Sequence, residues 1–75
     1  MKVTVLNPKH VLYEGDAKSV FLPGDLAEFE LLDGHAPIVS LLLPGDVVLD
    51  WETRIPIRNG MVRFSDNECV ILVEE

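Results

Sequence analysis

Arg54-Ile55-Pro56-Ile57-Arg58-Asn59-Gly60-Met61-Val62-Arg63-Phe64-Ser65 is the stretch that decides the fold class. Ile55 and Ile57 alternate with Arg54, Pro56 and Arg58, and Val62 and Phe64 alternate with Met61, Arg63 and Ser65. A period of two sends successive side chains to opposite faces, the pattern of a half-buried strand. Between the two alternating segments stands Asn59-Gly60. Both residues tolerate positive φ, so the pair reads as a hairpin turn. Pro56 has no N–H to donate to a ladder, which places its strand at a sheet edge or a bulge.

The same pattern extends to both ends of the chain. Val3 and Val5 alternate with Lys2 and Thr4, and Val20 and Leu22 with Ser19 and Phe21. Leu41-Leu42-Leu43 and Val70-Ile71-Leu72-Val73 are unbroken apolar runs, as expected of strands covered on both sides. Turn chemistry recurs at Asn7-Pro8, Glu14-Gly15-Asp16, Pro23-Gly24-Asp25, Asp33-Gly34, Pro44-Gly45-Asp46 and Asp66-Asn67. No segment sustains a helical period. The expectation is all-β: one domain, residues 1–75, forming a two-sheet β-sandwich of about nine to ten short strands. Val3, Val5, Val20, Leu22, Val62, Phe64 and Leu72 are expected to point inward.

A chain of 75 residues with 48% hydrophobic content is enough for one packed core. Thirteen acids against six bases leave a net charge of −7. That surface repels nucleic acid and anionic headgroups and suits a basic or polar protein partner. The lone Cys69 excludes an internal disulfide and a cysteine zinc site, and its apolar neighbours mark it as a small core hydrophobe. The first residues do not read as a signal peptide, and no apolar run spans a bilayer. The expectation is a soluble intracellular chain that meets a membrane only through a membrane protein.

Candidate chemistry is sparse. His35 beside Gly34 and Asp33 has the makings of a base or a metal ligand, but the spacing supplies no ligand set, and His10 lies elsewhere; both read as structural or interface histidines. Glu28 and Glu30, at i and i+2, share a strand face, read as solvated. Trp51 is read as a partly buried capping residue, with a partner anchor as the alternative. The glycines form no phosphate-binding loop, and no cofactor is expected. Two other classes fit less well. A lipoyl- or biotinyl-type carrier needs a lysine on a mid-chain hairpin, whereas Lys2, Lys9 and Lys18 all lie in the first part of the chain. A small enzyme built on His35 and Asp33 lacks a nucleophile.

The ordered series of motifs resembles the ATP synthase epsilon family. Asp33-Gly34-His35-Ala36-Pro37 followed by Pro44-Gly45-Asp46 is similar to that family's Gly-His-Ala-Pro motif and later Pro-Gly turn. Met1 to Leu6 with Asn7-Pro8, Tyr13 to Ala17, Val20 to Gly24, Phe29 to Leu32, Asn59 to Phe64 and Val70 to Val73 resemble its strands in the same order. The resemblance implies a non-catalytic epsilon subunit of a proton- or sodium-translocating F-type ATP synthase, a central-stalk piece that couples the c-ring to gamma. It implies a peripheral position on the cytoplasmic face of a bacterial inner membrane, touching the membrane only through the c-ring. It assigns Glu28 and Phe29 to the polar loops of the c-ring, and His35, Ala36, Pro37, Ile38 and Ser40 to gamma. Ala27, Glu30 and Asp33 depart from residues common in that family. The chain stops at Glu74-Glu75, where many relatives continue into two helices, so no helical inhibitory arm and no ATP site are expected.

Overall fold

A computed structural model describes all residues, Met1–Glu75. Nine strands and no helix build it: β1 (Lys2–Leu6), β2 (Val11–Asp16), β3 (Ser19–Pro23), β4 (Glu28–Leu32), β5 (Ile38–Leu42), β6 (Gly45–Leu49), β7 (Thr53–Ile57), β8 (Asn59–Ser65) and β9 (Glu68–Glu74). They form a five-stranded sheet in the order β2-β1-β9-β8-β5 and a four-stranded sheet in the order β4-β3-β6-β7. The two sheets pack as the expected sandwich. Val3, Val5, Cys69, Ile71, Val73, Val62 and Phe64 from one sheet meet Val20, Leu22, Leu31, Val47, Leu49 and Ile57 from the other in one buried cluster.

Most neighbours are antiparallel hairpin partners, which the short connections dictate. Two further antiparallel pairs, β3–β6 and β5–β8, join strands distant in the chain, and the one parallel pair joins the first and last strands. β1 runs parallel to β9, with Lys2 opposite Glu68 and Leu6 opposite Leu72. At one corner the sheets are stitched together. Gly24 bridges to Leu42, Leu43 N donates to Pro23 O at 2.8 Å, and Asp25 N donates to Leu41 O at 3.1 Å. Within the four-stranded sheet Asp50, at the end of β6, holds the start of β3: its Oδ1 accepts the backbone N–H of Lys18 at 2.6 Å and of Ser19 at 3.1 Å.

Four expectations are corrected. Asn59-Gly60 is no hairpin turn. Both residues lie inside β8, and the chain crosses from the four-stranded sheet to the five-stranded one at Arg58. The glycine serves a close approach instead: a Cβ on Gly60 would stand 2.3 Å from the Leu72 carbonyl oxygen. The left-handed pairs are Asp50-Trp51 and Asp66-Asn67. The latter forms a two-residue loop between the paired Ser65 and Glu68. Glu14-Gly15-Asp16 likewise belongs to a strand, the end of β2. The remaining two corrections concern faces. Leu72 points outward, because Ile71 and Val73 hold the inner positions of β9. For the same reason the apolar runs in β5 and β9 are covered on one side only. Pro56 does lie on an edge strand, since β7 is the last strand of its sheet.

Candidate functional site

The sandwich has two outer faces, and their chemistry differs. On the five-stranded sheet the register aligns outward residues into rows. Leu41 stands opposite Met61, Met61 opposite Leu72, Leu72 opposite Leu6, and Leu6 opposite Val11. One apolar row therefore crosses all five strands. Leu41 is 61% exposed, Leu72 45% and Met61 37%. The next row reads Val39, Arg63, Val70, Thr4 and Glu14, with Val39 65% exposed. A third row is polar: Ser65, Glu68, Lys2 and Asp16. The face thus grades from apolar to charged along the strands. At its apolar end a depression of ≈ 490 Å³ opens between Leu6, Pro8, Leu41, Met61 and Leu72. A contiguous exposed apolar row is the ordinary mark of a surface that another body covers.

The loop from Asp33 to Pro37 leads into β5 at the edge of this sheet. His35 N donates to Leu32 O at 3.1 Å, closing a turn in which Gly34 takes φ of 78°. Gly34 N donates to Asn67 Oδ1 at 2.9 Å, so the loop is pinned to the β8–β9 turn. The imidazole of His35 is 2.6 Å from Ala36 O through Nδ1 and stands edge-on to Phe64, ring centroids 6.0 Å apart. Asp33 pairs with the Met1 amine rather than with His35. The two residues do not form an acid–base couple. His35, Ala36 and Pro37 are exposed. Ile38 and Ser40 share the face of Phe64 and Val62 and so turn toward the sandwich interior, while Val39 and Leu41 present their side chains outward.

On the four-stranded sheet Glu28 and Glu30 do share a face, opposite Pro23 and Phe21 of β3. Phe29 turns to the other side and packs against the core. Trp51 departs from the capping role expected of it. It is 66% exposed, and its indole N–H donates to Glu30 Oε2 at 2.8 Å. The same oxygen accepts the hydroxyl of the buried Ser19. Arg54 reaches Asp46 at 3.4 Å, an exposed ion pair. His10 lies just before β2 and is exposed.

Cys69 is buried, and burial pushes its thiol up to about 12. A thiol so far from ionisation is no nucleophile at neutral pH. Lys9 and Lys18 lie in the β1–β2 and β2–β3 connections and Lys2 in β1, none on a mid-chain hairpin. What sequence reasoning missed is the apolar row. Its signal was present in the runs Leu41 to Leu43 and Val70 to Val73, read as doubly covered.

Comparison with known proteins gives one consistent family. Residues 1–75 match the family described as ATP synthase, Delta/Epsilon chain, beta-sandwich domain. An ATP synthase epsilon chain from Nitratiruptor sp. is 36% identical over 78 residues, covering 99% of this chain and 60% of its own length. An ATP synthase epsilon chain 2 from Nitrobacter hamburgensis is 37% identical over 76 residues, covering 97% of this chain and 56% of its own length. This chain therefore spans a little over half the length of these relatives. Among solved structures, a chain from the central stalk and c-ring of the Tetrahymena thermophila mitochondrial ATP synthase superposes with a TM-score of 0.83 at 18% identity, covering 99% of this chain and 63% of that one. A chain from the Euglena gracilis mitochondrial enzyme gives 0.83 at 19% identity, covering 97% and 49%. At such identities the likeness is one of fold.

Proposed function

We infer that this chain, which belongs to the family of ATP synthase delta/epsilon chain β-sandwich domains, serves as the epsilon subunit of an F-type ATP synthase and joins the c-ring to gamma in the central stalk. The reading asks for binding and torque transfer, with no bond chemistry. The observation that carries it is the apolar row Leu41-Met61-Leu72-Leu6 on the outer face of the five-stranded sheet. Burying one such leucine contributes about 1.5–3 kcal/mol, so a partner surface that covers the row gains enough to hold a rotor joint. The depression beside it accepts a projecting apolar side chain.

Gamma is assigned to this face. His35, Ala36 and Pro37 form the exposed approach to β5, and Ile38 and Ser40 lie on the same edge strand. Val39 and Leu41 complete the contact, because theirs are the outward side chains of that strand. The polar loops of the c-ring are assigned to the other sheet at Glu28. There Phe29, packed inward, fixes the strand that carries the carboxylate. Acidic Glu28 on a chain of net charge −7 suits a polar or basic loop. The subunit would then sit peripherally at the cytoplasmic face of a bacterial inner membrane and reach the bilayer only through the ring. The lipoyl or biotinyl carrier reading has no lysine in the right place.

The test is co-purification of this chain with its cognate gamma. Wild-type chain should form a stable complex. A Leu41→Glu/Leu72→Glu variant should weaken it by two orders of magnitude or so, since each lost apolar anchor is worth about 1.4 kcal/mol or more. Both side chains are exposed, so the variant should keep the wild-type melting curve. A folded variant that binds gamma as tightly as wild type would remove the face from the assignment, and failure of the wild type to bind would remove the function.

A further inference from the structure

The outer face of the four-stranded sheet carries a depression of ≈ 610 Å³, on the side of the sandwich away from the contact with gamma proposed above. Phe21 and Val48, partners across β3 and β6, form its floor. Glu28 and Glu30 line one side, Asp46 and Arg54 the other, and Trp51 stands at the end. We propose that this depression receives a lysine or arginine side chain offered by a loop of a partner protein.

The occupant follows from complementarity. Three carboxylates line the hollow against one cation, and that cation, Arg54, leans on Asp46 at 3.4 Å. Glu30 is fixed through Oε2 by the Trp51 indole and the Ser19 hydroxyl, so Oε1 remains for an incoming donor. An exposed indole face attracts a cation that slides over it. The apolar floor of Phe21 and Val48 takes the methylene stem, which lysine and arginine bury while their charged heads stay at the polar rim. An anion meets three negative charges here, and a purely apolar side chain leaves the rim unpaired. Glu28 belongs both to this hollow and to the contact with the ring proposed above. The chemistry of the hollow does not depend on that assignment, and neither does its test.

Trp51 is the only tryptophan of the chain and so reports directly on occupancy. The probe is a capped pentapeptide with arginine between leucines, titrated into the whole chain alongside its neutral citrulline twin. Saturable change in Trp51 emission is expected with the arginine peptide, weakening as salt rises. The citrulline twin and the double variant Glu28→Gln/Asp46→Asn should each bind about threefold to tenfold more weakly, as two exposed charge contacts allow. Arg54→Ala, which frees Asp46, should bind more tightly. Equal affinity for the two peptides, affinity unchanged in the double variant, or no saturable signal at millimolar peptide would overturn the proposal. Amide shifts confined to Leu41, Met61 and Leu72 would overturn it too, by placing the peptide on the other sheet.

Discussion

Cys69 lies opposite Val3 on one side and Phe64 on the other, inside the core. Its thiol is raised from 9.0 to about 12 because burial disfavours the thiolate. The sign of the linkage follows. Below pH 9 both folded and unfolded chains hold the proton, and Cys69 adds no pH dependence. Between pH 9 and about 12 the unfolded chain releases it while the folded chain keeps it, so stability falls as pH rises, by about 1.4 kcal/mol per unit from this group. Chemical denaturation across that window should show a Cys69→Val variant losing less stability than wild type; parallel losses would mean that the thiol ionises in place. Gly60 makes a second residue-level case. With the Leu72 carbonyl where a Cβ would stand, Gly60→Ala must push β8 off β9, and a loss of about 1–3 kcal/mol is expected in urea unfolding. A neutral result would show that the pair spreads freely. Asn59-Gly60 resembles a turn for a physical reason: the same small residue answers a demand for positive φ or a demand for close backbone approach. Sequence alone does not separate the two. Asp66-Asn67 was legible as a turn because neither residue has that second use.

At the scale of the strand, alternation was a dependable guide. Val3, Val5, Val20, Leu22, Val62 and Phe64 all reach the interior as the period of two requires. The continuous runs misled, since a strand apolar on both sides reads as buried whether its cover belongs to the same chain or to another. Leu41 and Leu72 carry that ambiguity, which hides the apolar face from a reading of local pattern. β4 poses the opposite problem. Glu28 and Glu30 share a face as their spacing requires, but the partners that turn the face into a hollow, Phe21, Asp46, Val48, Trp51 and Arg54, come from three other strands and a connecting loop, and no local pattern links them. Charge reversal at β4 tests the ring assignment. Glu28→Lys should reduce attachment to isolated c-ring severalfold at low salt and less at high salt, with gamma binding unchanged, as an exposed charge mainly steers association. Ring attachment that is unaltered across salt would withdraw Glu28 from that interface.

For the molecule as a whole, strand number and architecture were legible from turn spacing, whereas the order of strands was not. β3 pairs with β6, and β5 with β8, through connections that leave no trace in periodicity. The parallel contact of β1 with β9 is the furthest from any local signal, because it joins the two ends of the chain. It also has a mechanical meaning. Tension applied between Lys2 and Glu74 draws these neighbours past each other lengthwise, so that their hydrogen bonds carry the load together. Tension applied between Asn59 and Glu74, which stand opposite each other at one end of an antiparallel pair, opens that pair one bond at a time. In single-molecule stretching, the first geometry should give one abrupt rupture at high force and the second a gradual, weak yielding, since forced unfolding follows the barrier rather than the equilibrium. Equal forces in the two geometries would show that the terminal pair bears no special load. In the rotor role proposed for this chain, a part that turns with a shaft is twisted at every step, and a seam that resists sliding lets it be small without coming apart.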